Sequence, residues 1–165
     1  MSELQQTLTQ LRGALGEAAV LTGEAISPQH HSDWTNNAPA RPAALLLPRN
    51  TEQVASALRI CHAARQSLVP QGGLTGLAAG AEPRAYDIAL SLERLEGIEE
   101  IDSAAATITV RAGTRLEKIQ QAAAEHAIGR RQLCQVALLV IFADARDCAD
   151  LAEALLVGDG VDPFA

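Results

Sequence analysis

The stretch from Pro70 to Ala81 has the residue types and spacing with the clearest chemical meaning in this chain. Glycines recur in it at short intervals and leave no Cβ atom where the backbone would approach another group closely. Successive exposed N–H groups in such a turn form a concavity that binds anions. The side chains of Gln71 and Thr75 would add neutral hydrogen-bond donors. The pattern therefore predicts a site for a pyrophosphate group.

Two well-known phosphate motifs do not match this stretch. No Gly-Lys-Ser or Gly-Lys-Thr follows the glycines, so it is not a Walker A loop. The glycine spacing is wrong for the dinucleotide fingerprint of a Rossmann fold, and no long helix begins there. On glycine content alone, a flexible Gly/Ala turn between two strands remains an equal alternative.

The other chemically versatile residues form no second site in the sequence. His30 and His31 lie in a polar loop with no third ligand nearby, which favours a solvated pair over a metal site. The cysteines, Cys61, Cys134 and Cys148, are odd in number and lack CxxC spacing, which favours reduced thiols. We therefore expect no metal site, and we identify no catalytic residue in this chain.

The elements that must hold the glycine-rich stretch follow from apolar periodicity and helix-capping residues. Gly23 to Pro42 has no apolar period and is predicted to be an extended surface segment that Trp34 anchors to the body. Thr114 is the predicted N-cap of the helix that ends near His126. The predicted helices are 2–16, 51–64 and 114–126, and the predicted strands are 43–48, 67–70, 87–92, 97–102 and 107–110, followed by a strand and helix within 136–157.

Size and charge exclude several classes of protein and partner. With 165 residues the chain has room for one domain of ordinary size, not for a complete multi-domain enzyme. Its 20 acidic and 13 basic side chains give a formal net charge of −7, which argues against nucleic acid and anionic membrane surfaces as partners. No apolar run reaches the roughly 18 residues that span a bilayer, and the first residues lack a signal-peptide pattern. We expect a cytoplasmic protein without membrane insertion.

Several elements in order resemble one known family. A strand that ends in proline is followed by a helix that starts Asn-Thr-Glu-Gln-Val, and then by Val-Pro-Gln-Gly-Gly-Leu-Thr-Gly-Leu at 69–77. The strand at 88–95 and the strand, glycine and helix start at 109–114 continue the match. Together, from about Trp34 to His126, these resemble the vanillyl-alcohol oxidase-type (PCMH-type) FAD-binding superfamily, and most of all its D-lactate, glycolate and D-2-hydroxyglutarate dehydrogenases.

This resemblance implies an incomplete α+β subdomain, with small mixed sheets flanked by helices, whose glycine-rich loop holds the FAD pyrophosphate. It also implies hydride transfer from the α-carbon of a 2-hydroxy acid to the flavin, which leaves a 2-oxo acid. Many superfamily members have Arg where this chain has Gln71, whereas the 2-hydroxy-acid group often accepts Gln. The FAD-binding residues that the resemblance implies are Pro70, Gln71, Gly72, Gly73, Leu74, Thr75, Gly76 and Gly80.

After His126 the family pattern, with a Gly-Gly-Asn segment and later Asn-Ala-Gly-Gly, is missing. A truncated gene, an internal deletion and a naturally small protein would each explain this. The expected division is an N-terminal helix and extended segment (1–42), a partial FAD-binding domain (43–127) and a divergent strand-helix tail (128–165). A half-domain exposes sheet edges, so pairing with itself or another subunit is expected. The alternative function is a non-catalytic interaction module that binds no nucleotide.

Overall fold

A four-stranded mixed sheet and a two-stranded hairpin, both packed against helices, form the part of the chain that the computed structural model describes, residues 2–126 and 128. The predicted α+β class, with small mixed sheets flanked by helices, is confirmed. The helices are α1 (Glu3–Leu15), α2 (Thr51–Ala63) and α3 (Leu116–Glu125). The strands are β1 (Val20–Leu21), β2 (Ala44–Leu46), β3 (Leu68–Gln71), β4 (Ile88–Ser91), β5 (Ile98–Asp102) and β6 (Thr107–Val110).

The larger sheet has the strand order β1-β2-β4-β3. Strand β4 lies between β2 and β3 and is parallel to both, whereas β1 is antiparallel to β2. Strands β2 and β3, which α2 connects, are therefore not neighbours, because β4 lies between them. Because β3 is an edge strand, Pro70 fits in it although proline has no N–H for a neighbouring strand. The sequence did not predict β1, which is only two residues long.

Both faces of this sheet are buried, which explains the unbroken apolar runs of its central strands. Alternate residues such as Leu46 and Leu90 share a core with Leu8 and Leu11 of α1 and with α2. The intervening residues Leu45 and Ala89 pack with Ile26 on the other face. Residues N-terminal to the predicted FAD-binding part thus contribute both α1 and β1 to the core that carries the glycine-rich loop.

Helix capping was predicted correctly for two of the three helices. The Ser2 side chain accepts from the N–H of Gln5 at the start of α1 (3.3 Å). Asn50 accepts from the N–H of Gln53 at the start of α2 (2.9 Å), and the Gln53 side chain accepts from the N–H of residue 49 in return (2.8 Å). The predicted cap of α3 was wrong: Arg115 is its N-cap, and the Thr114 hydroxyl instead bonds the backbone of residue 97.

The segment between β1 and β2 differs from its prediction. It contains two short 3₁₀ turns, Gly23–Ala25 and Pro28–His31, instead of a wholly extended path. Trp34 does not anchor it, because this side chain is 71% exposed. His30 and Asp33 are the buried polar residues of the segment. Long-range hydrogen bonds from polar side chains hold this segment in place, which is why an aromatic anchor is unnecessary.

The hairpin β5–β6 and helix α3 form a second small core. Ile108, Ile119, Ala123 and Ile128 are buried together in it. A close backbone contact joins this unit to the end of β4: the N–H of Gly113 donates to the carbonyl of Leu95 at 2.7 Å. The predicted strand and helix within 136–157 lie outside the described residues.

Candidate functional site: a glycine-rich loop at the end of β3

The glycine-rich loop, residues 72–81, leaves the carboxyl end of β3 and leads back to the start of β4. It contains no helix or strand, and two of its residues, Leu74 and Ala79, have left-handed backbone angles with φ of 57° each. Left-handed residues of this kind are a component of the backbone concavities that bind anions. The loop also contains no Lys or Arg. Any anion held there must be bound mainly by backbone N–H groups.

The glycines of the loop are not explained by packing within the described residues. A Cβ atom placed on Gly72, Gly73 or Gly80 would meet no atom within 4 Å. None of them has the positive φ that would itself require glycine. The backbone of these three glycines is exposed and faces open space. This is the arrangement that a pyrophosphate needs for close approach, so the residues present fit such a group.

Gln71 is placed differently from the other predicted site residues. Its side chain is fully buried, and its Nε2 atom donates to the carbonyls of His30 (3.0 Å) and Ala81 (3.1 Å). Both N–H groups of the amide are therefore engaged by the protein itself. The sequence suggested that this side chain donates to a phosphate, but neither of its N–H groups is free to do so. Gln71 instead links the two ends of the loop. Thr75, by contrast, has an exposed side chain, as donation to a ligand requires.

The other end of the loop is held by Glu82. Its carboxylate accepts from the hydroxyl of Ser32 (2.7 Å) and from the backbone N–H of Asn37 (2.8 Å), and the hydroxyl oxygen of Thr35 lies 3.0 Å away. We call residues 30–38 the brace, because this one segment bonds Gln71 before the loop and Glu82 after it. Hydrogen bonding, first of all from Ser32, lowers the pKa of Glu82 below its usual 4.5.

Asp33 of the brace lies next to the loop. One of its carboxylate oxygens accepts from the N–H of Thr35 (3.0 Å) and from the Thr35 hydroxyl, which is the main reason that its pKa is lowered. The other oxygen, Oδ2, is buried without a hydrogen-bond partner in the described part of the chain. It lies 3.7 Å from the position that a Cβ atom of Gly76 would occupy. Larger side chains at Gly76 would therefore crowd this carboxylate.

The brace should loosen in acid. A carboxylate whose pKa is lowered in the folded state stabilises that state above its unfolded pKa, and the stabilisation is lost as the pH falls through the folded value. For Glu82 the loss therefore begins near pH 4.5 and continues below it. We expect the urea midpoint of the wild-type chain, followed by circular dichroism between about pH 6 and pH 3, to fall more steeply than that of Glu82→Gln.

Glu100→Gln is the matched control for this experiment, because Glu100 is an exposed carboxylate on the hairpin, away from the brace. Its acid dependence should follow the wild type. Parallel curves for the wild type and Glu82→Gln would show that the brace does not depend on the ionised Glu82.

The brace was not foreseen from the sequence. His30 was expected to be solvated but is 4% exposed, and the sequence did not predict that Asp33 or Glu82 lies beside the glycine-rich loop. A local signal existed, since Ser, Asp, Thr and Asn cluster between Ser32 and Asn37 and such residues form side-chain-to-backbone turns. Their partners lie more than 40 residues away, however, and one sequence does not reveal that pairing.

The described residues contain no group of three or more His, Cys, Asp or Glu side chains that could hold a metal ion. Over the same residues, no helix is long and apolar enough to cross a membrane. The glycine-rich loop, which follows the edge strand β3 of the mixed sheet, can hold an anion at its exposed backbone N–H groups. Such a fold and site define a domain that binds a phosphate-containing cofactor.

Comparison with known proteins identifies the cofactor. The model of the FAD binding domain family matches residues 42–130, and the chain belongs to this family. FAD is thus the cofactor, as predicted, and the match does not favour the alternative of an interaction module without a nucleotide. The predicted individual FAD-binding residues and the predicted domain boundaries stay predictions.

Relatives and solved structures agree with this family. The chain is 35% identical over 126 residues to a D-2-hydroxyglutarate dehydrogenase of Xanthomonas citri pv. viticola, covering 76% of this chain and 25% of that protein. It is 34% identical over 105 residues to the glycolate oxidase subunit GlcD of Escherichia coli K12, covering 64% and 21%. A structure of p-cresol methylhydroxylase with substrate bound shares the fold at a TM-score of 0.62 and 22% identity, covering 76% and 25%.

The predicted resemblance to PCMH-type flavoenzymes and 2-hydroxy-acid dehydrogenases is confirmed. The chain spans about a quarter of the length of the curated relatives it matches. What it shares with them is therefore the N-terminal part of an FAD-binding domain.

Proposed function

We propose that the loop from Pro70 to Gly80 binds the FAD pyrophosphate, in a flavin-dependent enzyme that oxidises a 2-hydroxy acid. The observation that carries the first part is the open space before Gly72, Gly73 and Gly80, which no packing within the described residues explains. The relatives' names support the second part, since they include D-2-hydroxyglutarate and D-lactate dehydrogenases and a glycolate oxidase subunit. Bound FAD would supply the hydride acceptor.

This chain's own contribution to the reaction would be to bind and orient the cofactor. The loop N–H groups would hold the two phosphates, and the brace would keep those groups in place. No residue of the chain is proposed as an acid, a base or a substrate ligand. We therefore propose that the part of the reaction carried by these residues is the binding and orientation of FAD.

We expect the 165-residue chain to bind FAD reversibly and weakly, because the glycine-rich loop offers the pyrophosphate no Lys or Arg side chain. In a titration followed by flavin fluorescence, FAD should bind with an affinity that flavin mononucleotide, which lacks the pyrophosphate, does not reach. FAD should be lost on desalting. A yellow protein that purifies with one FAD per chain would contradict the expected weak binding, and equal binding of the two flavins would contradict a pyrophosphate site.

The substrate class needs a separate assay. The protein expressed from its full gene should, once loaded with FAD, reduce an artificial dye with D-2-hydroxyglutarate, D-lactate or glycolate as donor. L-2-Hydroxyglutarate and L-lactate serve as controls for the two chiral acids. Dye reduction by none of these acids, in a preparation that holds FAD, would refute the substrate class while leaving the cofactor site intact. We also propose a cytoplasmic location, although some matched relatives are named as mitochondrial.

A further inference from the structure

His30 lies buried beneath the start of the glycine-rich loop, at the end of the 3₁₀ turn Pro28–His31. Its Nδ1 atom is 2.9 Å from Oε1 of Gln71. The Gln71 amide donates both of its N–H groups to backbone carbonyls, so its Oε1 atom must be the acceptor in this contact. The imidazole therefore carries its hydrogen on Nδ1.

The second ring nitrogen of His30 is also satisfied. With the hydrogen on Nδ1, Nε2 accepts from the side-chain amide of Gln29 at 3.1 Å. The Glu93 carboxylate is 4.0 Å away, beyond hydrogen-bond distance. A neutral imidazole thus has a hydrogen-bond partner at both ring nitrogens. Its only donated hydrogen bond goes to the amide oxygen of Gln71.

That amide controls the geometry of the loop. Gln71 is the last residue of β3 and directly precedes Gly72, while its Nε2 atom reaches the carbonyl of Ala81 at the other end of the loop. Without a donor at the His30 position, the buried Oε1 atom would have no partner, which costs free energy and leaves the amide held only by its two Nε2 bonds. The link between the two ends of the loop would then be weaker.

We propose that His30 is a positioning residue for FAD: it orients Gln71, and through Gln71 it holds the loop in the conformation that receives the pyrophosphate. This inference rests on the proposed role of the loop. It assigns to a histidine 41 residues before Gln71 a function that neither the family match nor the sequence pattern gives it. Preorganisation of this kind raises affinity by reducing the ordering required on binding.

Four variants of the 165-residue chain test the proposal. His30→Leu removes the donor with little change in volume, and Gln71→Met removes the amide in the same way. The double variant removes both. His30→Asn keeps an N–H near the position of Nδ1 and is the conservative replacement that should rescue. Two readouts are used: the Kd for FAD and for ADP as a minimal pyrophosphate probe, and chymotryptic cleavage after Leu74 and Leu77 without any ligand. Leu77 is 79% exposed and within reach of the protease.

His30→Leu should raise the Kd for FAD and for ADP by about tenfold, the effect of losing one buried hydrogen bond. Gln71→Met also removes the two bonds from Nε2 and should raise both Kd values at least as much. The double variant should be no weaker than Gln71→Met alone, because His30 acts through the Gln71 amide that this variant already lacks. His30→Asn should bind within about threefold of the wild type. Without ligand, cleavage in the loop should be several times faster in His30→Leu than in the wild type and in His30→Asn.

Equal cleavage in the wild type and in His30→Leu would overturn the inference, whether or not FAD binds. So would additive losses of affinity in the double variant. If the wild type bound neither FAD nor ADP, the proposed role of the loop would fail, and the positioning of FAD by His30 would fail with it. The cleavage rates would still show whether His30 holds the loop. Should His30→Leu not fold, His30→Met, which also lacks a donor at this position, takes its place in both comparisons.

Discussion

Replacing Gly73 by aspartate should abolish FAD binding while the domain stays folded. A Cβ atom at Gly73 meets nothing within 4 Å, and the residue is exposed, so the side chain has room in the protein itself. It would instead occupy the space proposed for the pyrophosphate. Two unit charges about 4 Å apart repel by about 4 kcal/mol at an effective dielectric constant near 20. We therefore expect the Kd for FAD to rise by at least about a hundredfold.

Two controls separate the causes of this loss. Gly73→Asn has almost the same size without the charge, so it should weaken FAD binding less than Gly73→Asp does. Gly13→Asp adds the same charge in helix α1, also at a glycine whose Cβ would meet nothing within 4 Å, and should leave FAD affinity near that of the wild type. Circular dichroism should show all three variants folded. Undiminished FAD binding by a folded Gly73→Asp chain would place the pyrophosphate elsewhere.

The sequence predicted the elements of this fold well because their signals are local. Ser2 and Asn50 have the residue type of an N-cap, and each makes a capping bond to an N–H three residues later. These bonds confirm the predicted helix starts. Strands β2 and β4 are buried on both faces, so each is a continuous apolar run in the sequence. Such a run predicts a strand without knowledge of the neighbouring strands. The glycine-rich loop was visible for the same reason: its glycines are consecutive or nearly so.

The parts that sequence reasoning missed depend on contacts between distant residues. Gln71 was expected to face a ligand, and no local signal shows that its amide is used by His30 and Ala81. Trp34 was expected to pack, but hydrogen bonds from its neighbours hold the segment and leave the ring exposed. Thr114 has the residue type of an N-cap, yet the backbone of residue 97 engages its hydroxyl. In each case a tertiary contact outcompeted a local preference.

Gly113 provides the largest expected effect on stability. A Cβ atom there would lie 2.0 Å from the carbonyl oxygen of Leu92 and 2.9 Å from that of Leu95. Both oxygens belong to backbone, so neither can move without shifting the turn that follows β4. The N–H of Gly113 also donates to the Leu95 carbonyl at 2.7 Å, and this bond holds the two segments of backbone close together. Only glycine fits.

We therefore expect Gly113→Ala to lower the free energy of unfolding by about 4 kcal/mol or more, a large share of the roughly 5 to 15 kcal/mol of a typical domain. Urea unfolding followed by circular dichroism measures the loss. Gly72→Ala is the matched control, since its Cβ would meet nothing within 4 Å, and its urea midpoint should stay near that of the wild type. Equal midpoints for the two variants would mean that the contact between Gly113 and Leu92 does not join the hairpin unit to the sheet. If the expectation holds, the two variants also separate two kinds of glycine in this chain, because the fold requires Gly113, whereas no packing within the described residues requires Gly72.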